Sequence, residues 1–550
     1  MNVLPAALAW LFCFSVSVLF WEDIGQSVEM PDVPSGRYHC LSYAPFRDGQ
    51  VPYDPALFIP RWQIEEDLFQ LAPLTECVRT YAATQGLDAV VDVAEKQGLR
   101  VILGIWLGAD KEANAKQIAA TLAVARPEVV ESIVVGNEVL LRKELSADQL
   151  IDYLKQVRAG TSLPITYADV WDFWLKNPRV ADHVDFLTIH ILPYWEDEPV
   201  GVTQALAHVQ NILQKMQDAF PGRQILVGET GWPSAGRSRR GAVPGVVVEQ
   251  ARFIREFIDF ANQQAIPYNL IEAFDQPWKR LQEGTVGAHW GLFNSKRQVK
   301  FPLTGPVTTL PQWPVPVALG GMFSFVFLAG SRRRPLAFWR LASLSMTGFL
   351  GGGLAFSRWQ QVADASQNAT DWALGQAGLG LLLIAGVMVA AILAGASGTW
   401  LTATPWNMAT LRRFLLQRSW PRGVEKRGFY PGILQAATLF SAAVTALSLV
   451  MDGRYRDFPS ALYLLPALLL WVRWLVLGIQ TQGWMEACLG ILLIGCAMAG
   501  TWIEWPVARE AMVWHGVLVL LALPIVPYRL LRSTTASRPR INPAAAQDTL

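Results

Sequence analysis

The sequence predicts a (β/α)8 TIM barrel, preceded by one transmembrane helix and followed by a C-terminal bundle of about seven transmembrane helices. Three observations support this fold class. Between residues 34 and 309, short apolar runs alternate with segments of helical periodicity, as in a parallel α/β barrel. Of the 550 residues, 52% are hydrophobic and only 17% are charged, whereas soluble proteins average about 25% charged residues. Long apolar runs lie near the N-terminus and after Pro311.

The N-terminal apolar run covers residues 3–21, which is close to the ~20 residues that a membrane-spanning helix needs. A cleaved signal peptide is the competing interpretation. We favour an uncleaved anchor, because no basic residue precedes the run and no Ala-x-Ala site follows it. The expected division of the chain is an anchor and linker at 1–33, a catalytic barrel at 34–309, a multi-span domain at 310–532 and a disordered cytoplasmic tail at 533–550.

Eight short runs with strand character are the predicted barrel strands. They cover 38–44, 77–82, 100–106, 132–137, 164–169, 185–191, 224–228 and 268–274. Segments with helical patterning lie between them, at 86–97, 113–126, 147–158, 202–219 and 246–263. Catalytic side chains of such barrels lie at the C-terminal ends of the strands.

The C-terminal part contains seven apolar runs, each near the length of a spanning helix. They cover 314–330, 336–356, 373–396, 429–451, 459–479, 483–503 and 510–528. Arginine-rich loops follow the first, third and last of these runs, while the loops at 357–372, 452–458 and 504–509 contain fewer basic residues. By the positive-inside rule, the barrel is expected on the periplasmic side of a bacterial inner membrane, with both termini inside. The weakest step in this assignment of loops to the two sides of the membrane is the turn at 480–482, which carries no charge. For Arg473 and Glu486, interfacial snorkelling is favoured over a function.

Composition also excludes some functions. The net charge is +1 and no basic stripe is interleaved with aromatic residues, so nucleic acid is not an expected partner. There is no CxxC pair and no HExxH motif, so we expect neither a metal nor a cofactor. Cys40 and Cys77 fall in adjacent predicted strands; a disulfide in an oxidising compartment and two buried thiols remain equal alternatives.

Two carboxylates end predicted strands on the same rim of the barrel. Glu138 ends the fourth strand and Glu229 ends the seventh. Cleavage of a glycosidic bond requires such a pair, one protonated to donate to the leaving oxygen and one ionised to attack the anomeric carbon. Each residue alone is more simply explained as a solvated strand-end glutamate or the partner of a barrel arginine. Their joint position at strands four and seven favours catalysis.

The strings Val135-Gly-Asn-Glu138 and Gly228-Glu-Thr-Gly-Trp-Pro-Ser234 resemble the acid/base and nucleophile motifs of glycoside hydrolase family 17, a clan A family that contains β-1,3-glucanases. Other similar strings are Val78-Arg-Thr-Tyr81, Gly104-Ile105, His190-Ile-Leu-Pro-Tyr-Trp195, Phe274-Asp-Gln-Pro-Trp-Lys279 and His289-Trp-Gly-Leu-Phe293. The architecture is similar to that of bacterial membrane-bound members described as β-1,3-glucan transglycosylases or β-(1→6)-glucan synthases. The resemblance implies that Glu138 is the acid/base, Glu229 the nucleophile and Asn137 a ligand of the sugar 2-hydroxyl.

One position departs from the family pattern. Many members carry a glutamate where this chain has Gln276, although Lys279 is retained. The missing charge is expected to alter a hydrogen bond near the catalytic centre and to lower hydrolytic efficiency; Asp275, Glu272 and Glu283 are the candidates to compensate.

Further substrate-binding candidates lie near the strand ends. Arg79 is expected to hold a carboxylate ionised, and His190 to bind sugar or to orient a catalytic glutamate. Asp275 and Lys279 are candidates on strand eight. The aromatic candidates, which either stack on sugars or cap the core, are Tyr43, Tyr81, Tyr194, Trp195, Trp232 and Trp278.

The expected reaction is a retaining double displacement on a β-glucan, with transfer to another glucan in periplasmic glucan synthesis or remodelling. Transfer is favoured because a degradative enzyme has no evident need for seven extra spans. No nucleotide-sugar motif, such as DxD followed by QxxRW, is found. The alternatives are a hydrolytic endo- or exo-β-1,3-glucanase and a non-catalytic membrane component that binds or transports carbohydrate. The expected partners are β-glucan, the lipid bilayer and a glucan synthase or export complex that the helices contact.

Overall fold

Eight parallel strands close into a barrel in the computed structural model, which describes residues 3–526 except for 34, 240, 244–246, 481–482 and 506–507. The strands are β1 Tyr38–Ser42, β2 Thr75–Arg79, β3 Arg100–Ile105, β4 Val130–Asn137, β5 Ile165–Val170, β6 Leu187–His190, β7 Ile225–Thr230 and β8 Tyr268–Leu270. Each strand pairs with its sequence neighbours, and β1 pairs with β8. The predicted TIM barrel is therefore confirmed. The tail at 533–550 and most of the turn at 480–482 lie outside the described residues.

Helices surround the barrel and bury one face against it. After α1 Val3–Ile24 in the anchor, the barrel helices are α2 Arg61–Leu71, α3 Ala89–Gln97, α4 Lys111–Val124, α5 Ala147–Gly160, α6 Trp171–Lys176, α7 Val202–Ala219, α8 Val247–Gln263 and α9 Arg280–Gly287. In α7, Ala205, Val209, Ile212 and Met216 are buried and share one face, because they recur at helical spacing. α5 begins at a capping box in which Ser146 and Gln149 satisfy each other's backbone N–H groups. Shorter 3-10 turns occur at Pro178–His183 and Pro277–Lys279.

A disulfide links β1 and β2 inside the barrel. Cys40 and Cys77 are directly paired across the two strands and are joined by a disulfide bond. The disulfide belongs to a small cluster of inward-facing side chains that is completed by Ile102, Val134, Ala168 and Leu226. Of the two alternatives for these cysteines, the structure contains the bonded one.

The anchor and the C-terminal part are helical. The C-terminal helices are α10 Pro314–Ser331, α11 Phe338–Ala365, α12 Ala369–Leu393, α13 Met408–Gln417, α14 Phe429–Met451, α15 Ser460–Leu477, α16 Trp484–Glu504 and α17 Arg509–Ala522. Short 3-10 turns lie at Trp400–Thr402 and Lys426–Gly428. Six segments of the described chain are long and apolar enough to cross a membrane: Val3–Ile24, Pro314–Ser331, Ala369–Leu393, Lys426–Met451, Ser460–Leu477 and Trp484–Glu504.

Two predicted spans differ from these six. The run at 336–356 forms α11, a helix of 28 residues. It contains Arg340, Arg358 and the glycines at 351–353, and it is not among the six segments that are apolar enough to cross a membrane. The run at 510–528 forms α17, whose described part has only 14 residues. α11 also packs unusually close to α10, since a Cβ on Gly352 would lie 2.2 Å from the backbone nitrogen of Gly320. Small residues at helix contacts are typical of membrane bundles.

Three loops of the bundle face the barrel. They follow α11, α14 and α16, and they correspond to the predicted loops that are poor in basic residues. Hydrogen bonds join Ser366 to Arg280, Asp457 to Thr285, and Glu504 to Arg237. All of these barrel residues follow strands β7 or β8. The bundle therefore contacts the C-terminal rim of the barrel, where catalytic residues are expected.

Candidate active site

Both predicted catalytic carboxylates follow an irregularity in their strand. In β7, one extra residue precedes Glu229 relative to β6, because Ile189 pairs with Val227 but His190 pairs with Glu229. In β4, an extra residue lies between the pairs formed with β5, and Glu138 follows with a positive φ of 55°. Such bulges re-aim side chains and are frequent beside active sites. The two glutamates consequently meet at the mouth, where one side-chain oxygen of each lies within 4.8 Å of the other.

Glu229 is buried among groups that stabilise its ionised form. The guanidinium of Arg79 donates to Glu229 Oε1 over 3.1 Å, and the hydroxyl of Tyr81 donates to the same oxygen over 2.8 Å. Burial raises the pKa of Glu229, but the electrostatic contributions of His190 and Arg79 and the Tyr81 hydrogen bond outweigh it. The pKa of Glu229 is therefore lowered, and the side chain is an anion at neutral pH.

His190 lies between the two carboxylates. Its Nδ1 atom is 2.9 Å from Glu138 Oε1, and its Nε2 atom is 3.6 Å from Glu229 Oε1. The ring is fully buried, whereas the Glu138 side chain keeps 23% of its surface exposed to the mouth. Glu138 is thus the more exposed member of the pair, while Glu229 is largely buried, with 6% of its side chain exposed.

Arg79 connects the two predicted motifs. Besides Glu229, it donates to Asn137 Oδ1 over 2.6 Å and to the backbone oxygen of Gly228 over 2.8 Å. Its side chain is only 1% exposed. Buried charged hydrogen bonds of this kind fix geometry because breaking one leaves a charge uncompensated.

The three side chains Glu138, His190 and Glu229 also have the spacing of a metal-binding group. A cation at this position would, however, lie against the Arg79 guanidinium, which already occupies Glu229 Oε1. Carboxylate and imidazole donors suit divalent metals in general, but here a fixed positive charge already supplies the compensation that a metal would bring. The donor set fits acid–base chemistry better.

The residues after β8 include Gln276, which stands where many family members carry a glutamate, and the three candidates to compensate for it. Gln276 is buried and donates to the backbone oxygen of Ala44 over 2.8 Å, so it ties the loop after β8 to the loop after β1. Lys279 donates to Glu272 over 2.8 Å. Burial raises the pKa of Glu272 to about 7 despite the opposing charge of Lys279. Of the three compensation candidates, Glu272 is therefore the one that pairs with Lys279.

Asp275 serves a different part of the structure. It accepts from Lys300 over 2.6 Å and from the backbone N–H of Gly291 over 2.9 Å. Burial opposes ionisation, but Lys300 and His289 outweigh it and lower the pKa of Asp275. The structure does not bring Asp275 to the two catalytic carboxylates.

The aromatic candidates divide into two groups. Tyr43, Tyr194 and Trp232 are buried, with polar atoms bonded to Asp67, to the Arg237 carbonyl and to the Val243 carbonyl, respectively. They present no free ring face. Tyr81 contacts Glu229, while Trp195 and Trp278 are half-buried at the rim. Trp278 packs edge-on against Phe46 and Tyr53.

Sequence analysis missed one acidic residue near Glu138, which is Asp169. Asp169 ends the predicted fifth strand, so the strand-end rule that found the two glutamates would also have selected it. It accepts a hydrogen bond from Tyr167. Burial raises the pKa of Asp169 to about 6, Tyr167 lowers it, and the nearby charge of Glu138 raises it again. Ser42 and Asn269, which form a buried hydrogen bond below Tyr81, had no distinguishing signal.

A lowered-pKa carboxylate facing a second, solvent-accessible carboxylate at the mouth of a (β/α)8 barrel defines a glycoside hydrolase site. Comparison with known proteins agrees. Residues 40–291 match the family described as the BtgE/BtgC glycoside hydrolase domain. The barrel is therefore similar to glycoside hydrolase domains of this type, and its resemblance to glycoside hydrolase family 17 is confirmed.

Several fungal proteins are similar to the barrel. A glucan 1,3-beta-glucosidase of Saccharomyces cerevisiae is 29% identical over 265 residues, which cover 44% of this chain and 84% of that protein. The glucan 1,3-beta-glucosidase of Arthroderma benhamiae is 27% identical over 261 residues, covering 43% and 82%. The crystal structure of a family 17 beta-1,3-glucanosyltransferase from Rhizomucor miehei is 26% identical, with a TM-score of 0.42 and coverage of 48% of this chain and 95% of that one.

Proposed function

We propose that this chain is a membrane-bound retaining enzyme that cleaves β-1,3-glucan and transfers the released glycosyl unit to another glucan, through a β-1,3 or a β-1,6 linkage. The observation that carries the proposal is the approach of Glu138 and Glu229 to within 4.8 Å, with Glu229 held ionised. Retaining enzymes place their carboxyl groups about 5–5.5 Å apart, whereas inverting enzymes need about 6.5–9.5 Å.

In the first step, Glu229 attacks the anomeric carbon while Glu138 donates its proton to the departing glycosidic oxygen. A covalent glycosyl-enzyme forms, and the shortened sugar leaves as an alcohol. In the second step, Glu138 accepts the proton of an incoming hydroxyl, which attacks the same carbon and releases Glu229. Arg79 and Tyr81 keep the nucleophile oriented, and Asn137, fixed by Arg79, is placed to bind the neighbouring sugar hydroxyl.

The substrate class is supported by the relatives, which are glucan 1,3-beta-glucosidases. These names favour hydrolysis as the second candidate activity. Transfer is favoured by the C-terminal helices α10 to α17, which a secreted degradative enzyme does not need, and by a mouth whose loops contact that bundle. A reaction that reuses existing glycosidic bonds needs no nucleotide sugar.

The proposed location of the barrel, at 34–309, is the periplasmic face of a bacterial inner membrane, in glucan synthesis or remodelling. Six apolar helices are compatible with a membrane protein. The loops that contact the barrel are those with few basic residues, which agrees with an outside position under the positive-inside rule. We propose a glucan synthase or export complex as the partner of the helices, which co-purification from membranes tests.

The test is incubation of the purified full-length protein with a defined β-1,3-gluco-oligosaccharide, followed by mass spectrometry and NMR of the products. We expect products longer than the substrate, with β configuration at the new bond. Glu229→Gln is expected to abolish them, and Glu76→Gln, on the exposed side of β2, is the matched control. Shortened sugars alone at every substrate concentration contradict transfer, and sugar binding without turnover supports a binding module instead.

A further inference from the structure

The loop at residues 452–459, between α14 and α15, is anchored on the barrel mouth. Asp457 accepts a hydrogen bond from Thr285 over 2.6 Å. The carbonyl of Gly453 accepts from Arg237, whose guanidinium also lies 4.6 Å from the ring of Phe458. These anchoring residues are buried or half-buried. The position of the loop is therefore fixed by contacts at positions 453, 457 and 458.

At its centre, the backbone of the loop at 452–459 also lies very close to the backbone of the barrel. Gly284 has a positive φ of 68°, and a Cβ at this position would lie 2.1 Å from the carbonyl oxygen of Tyr455. Only a glycine adopts this conformation and leaves room for the neighbouring chain. The kink in α9 at Gly284 is thus shaped to receive the loop of the bundle.

Arg454 and Tyr455 take no part in the anchoring hydrogen bonds described above, and both remain exposed. The Tyr455 ring lies 5.8 Å from the ring of Trp195 at an angle of 44°. The Arg454 guanidinium lies 5.5 Å from the Trp195 ring and 5.6 Å from the Tyr455 ring. Trp195 is half-buried and its ring is stacked on that of Tyr194. The exposed members of this group at the rim of the barrel are therefore the Tyr455 ring and the Arg454 guanidinium.

This group stands on the same rim of the barrel as the two glutamates. His190 ends β6, and its ring nitrogens lie 2.9 Å from Glu138 Oε1 and 3.6 Å from Glu229 Oε1. Trp195 follows His190 by five residues, in the segment after the same strand. The loop of the bundle therefore contacts a segment that begins at the site.

We propose that Tyr455 and Arg454 complete a sugar-binding subsite with Trp195, so that the membrane bundle sets the length of glucan that the barrel prefers. Neutral polyhydroxylated chains are bound by aromatic ring faces together with a few placed hydrogen-bond donors, and this group offers both. The subsite is one that the barrel lacks without the bundle. The inference rests on the proposed function, because it assumes a glucan as the ligand.

The experiment measures binding apart from turnover, with the full-length protein in lipid nanodiscs. In a Glu229→Gln background, the dissociation constant of a long and of a short β-1,3-gluco-oligosaccharide is determined with and without Tyr455→Ala or Arg454→Ala. We expect an about fivefold weaker affinity for the long sugar and little change for the short one, since a lost aromatic contact is worth roughly that factor. Tyr455→Trp supplies an aromatic ring again and should therefore restore the affinity for the long sugar. It would not do so if Tyr455→Ala acted by damaging the structure.

Two matched controls define the baseline. Arg456→Ala removes an exposed arginine of the same loop whose Nε donates to the Asp452 carbonyl, and Tyr430→Ala removes an exposed tyrosine at the other end of α14. Affinities in Tyr455→Ala and Arg454→Ala that equal those of the controls overturn the subsite. Failure of the proposed function is a separate result. In that case, the protein with Glu229 intact would turn over no β-glucan, even if the Tyr455 and Arg454 variants bind the long sugar more weakly than the controls.

Discussion

The hydrogen bond from Tyr81 to Glu229 offers a direct test of how the nucleophile is kept ionised. Tyr81→Phe removes the hydroxyl and leaves the ring, including its contact with the Arg79 guanidinium at 4.7 Å. The lost bond is short, at 2.8 Å, and its acceptor is charged. Hydrogen bonds to charged groups contribute about 1.5–3 kcal/mol. The substitution therefore destabilises the anion of Glu229 relative to the neutral acid.

The direction of the pH effect follows from the role of Glu229. As the proposed nucleophile, Glu229 attacks only as an anion, so kcat/KM falls as the pH falls through its pKa. The tyrosine lowers that pKa, and its removal raises it. The acidic limb of the pH profile must then move to higher pH in the variant. Where the variant is protonated and the wild type is ionised, kcat/KM is expected to be about 10- to 150-fold lower.

The measurement is kcat/KM on a β-1,3-gluco-oligosaccharide across acidic to neutral pH, for both proteins. Tyr53→Phe is the control, because the Tyr53 hydroxyl lies 3.3 Å from the exposed side chain of Gln282. An acidic limb that stays in place, with kcat/KM unchanged at every pH, in a folded Tyr81→Phe protein would refute the assignment of Glu229 as the ionised nucleophile. A uniform loss at all pH values would instead assign Tyr81 to substrate positioning.

Three further predictions follow from the same site. Glu138→Gln should lower turnover by about 10²–10⁴-fold, the usual contribution of a general acid/base, and steady-state rates check it. Prolonged chelator treatment should leave activity unchanged, because Arg79 rather than a metal balances Glu229; an activity loss restored by a divalent cation would contradict this. Replacing Cys40 and Cys77 by serine should destabilise the barrel by about 3–4 kcal/mol, given their separation of 37 residues, which a lower Tm in thermal unfolding tests.

The sequence predicted the barrel and the rim on which the two glutamates lie, because parallel strands bring their C-terminal ends to one side. It did not predict which strand-end side chains point inward. Cys40 and Cys77 face the interior, so the period of two along a strand directs Tyr81 inward and Tyr43 outward. Tyr81 accordingly contacts Glu229, and Tyr43 contacts Asp67 outside the barrel. To apply this alternation, one must know which residues of neighbouring strands pair, and the structure supplied that pairing.

The inward and outward alternation of side chains is interrupted just before Glu138 and Glu229, for a physical reason. Leu226 faces inward, so Glu229, three residues later, would face outward in a regular strand. The extra residue in β7 reverses the alternation and turns Glu229 into the mouth. Gly136, with a φ of 86°, belongs to the corresponding irregularity in β4. A glycine shortly before a strand-end acid was visible in the sequence, but its meaning depends on pairing with the neighbouring strand.

The position of the bundle on the mouth could not be predicted, since it depends on contacts between residues more than two hundred positions apart, such as Arg237 with Gly453 and Glu504. The Arg237–Glu504 pair is 2.5 Å long, with side chains only 4% and 16% exposed. Breaking a buried pair of this kind costs about 3–5 kcal/mol. Arg237 also donates to the Gly453 carbonyl, so the loop at 452–459 is held against the same buried pair. Its contacts fall on the segments that follow β6, β7 and β8, so the bundle borders that side of the mouth at which Glu138 and Glu229 lie.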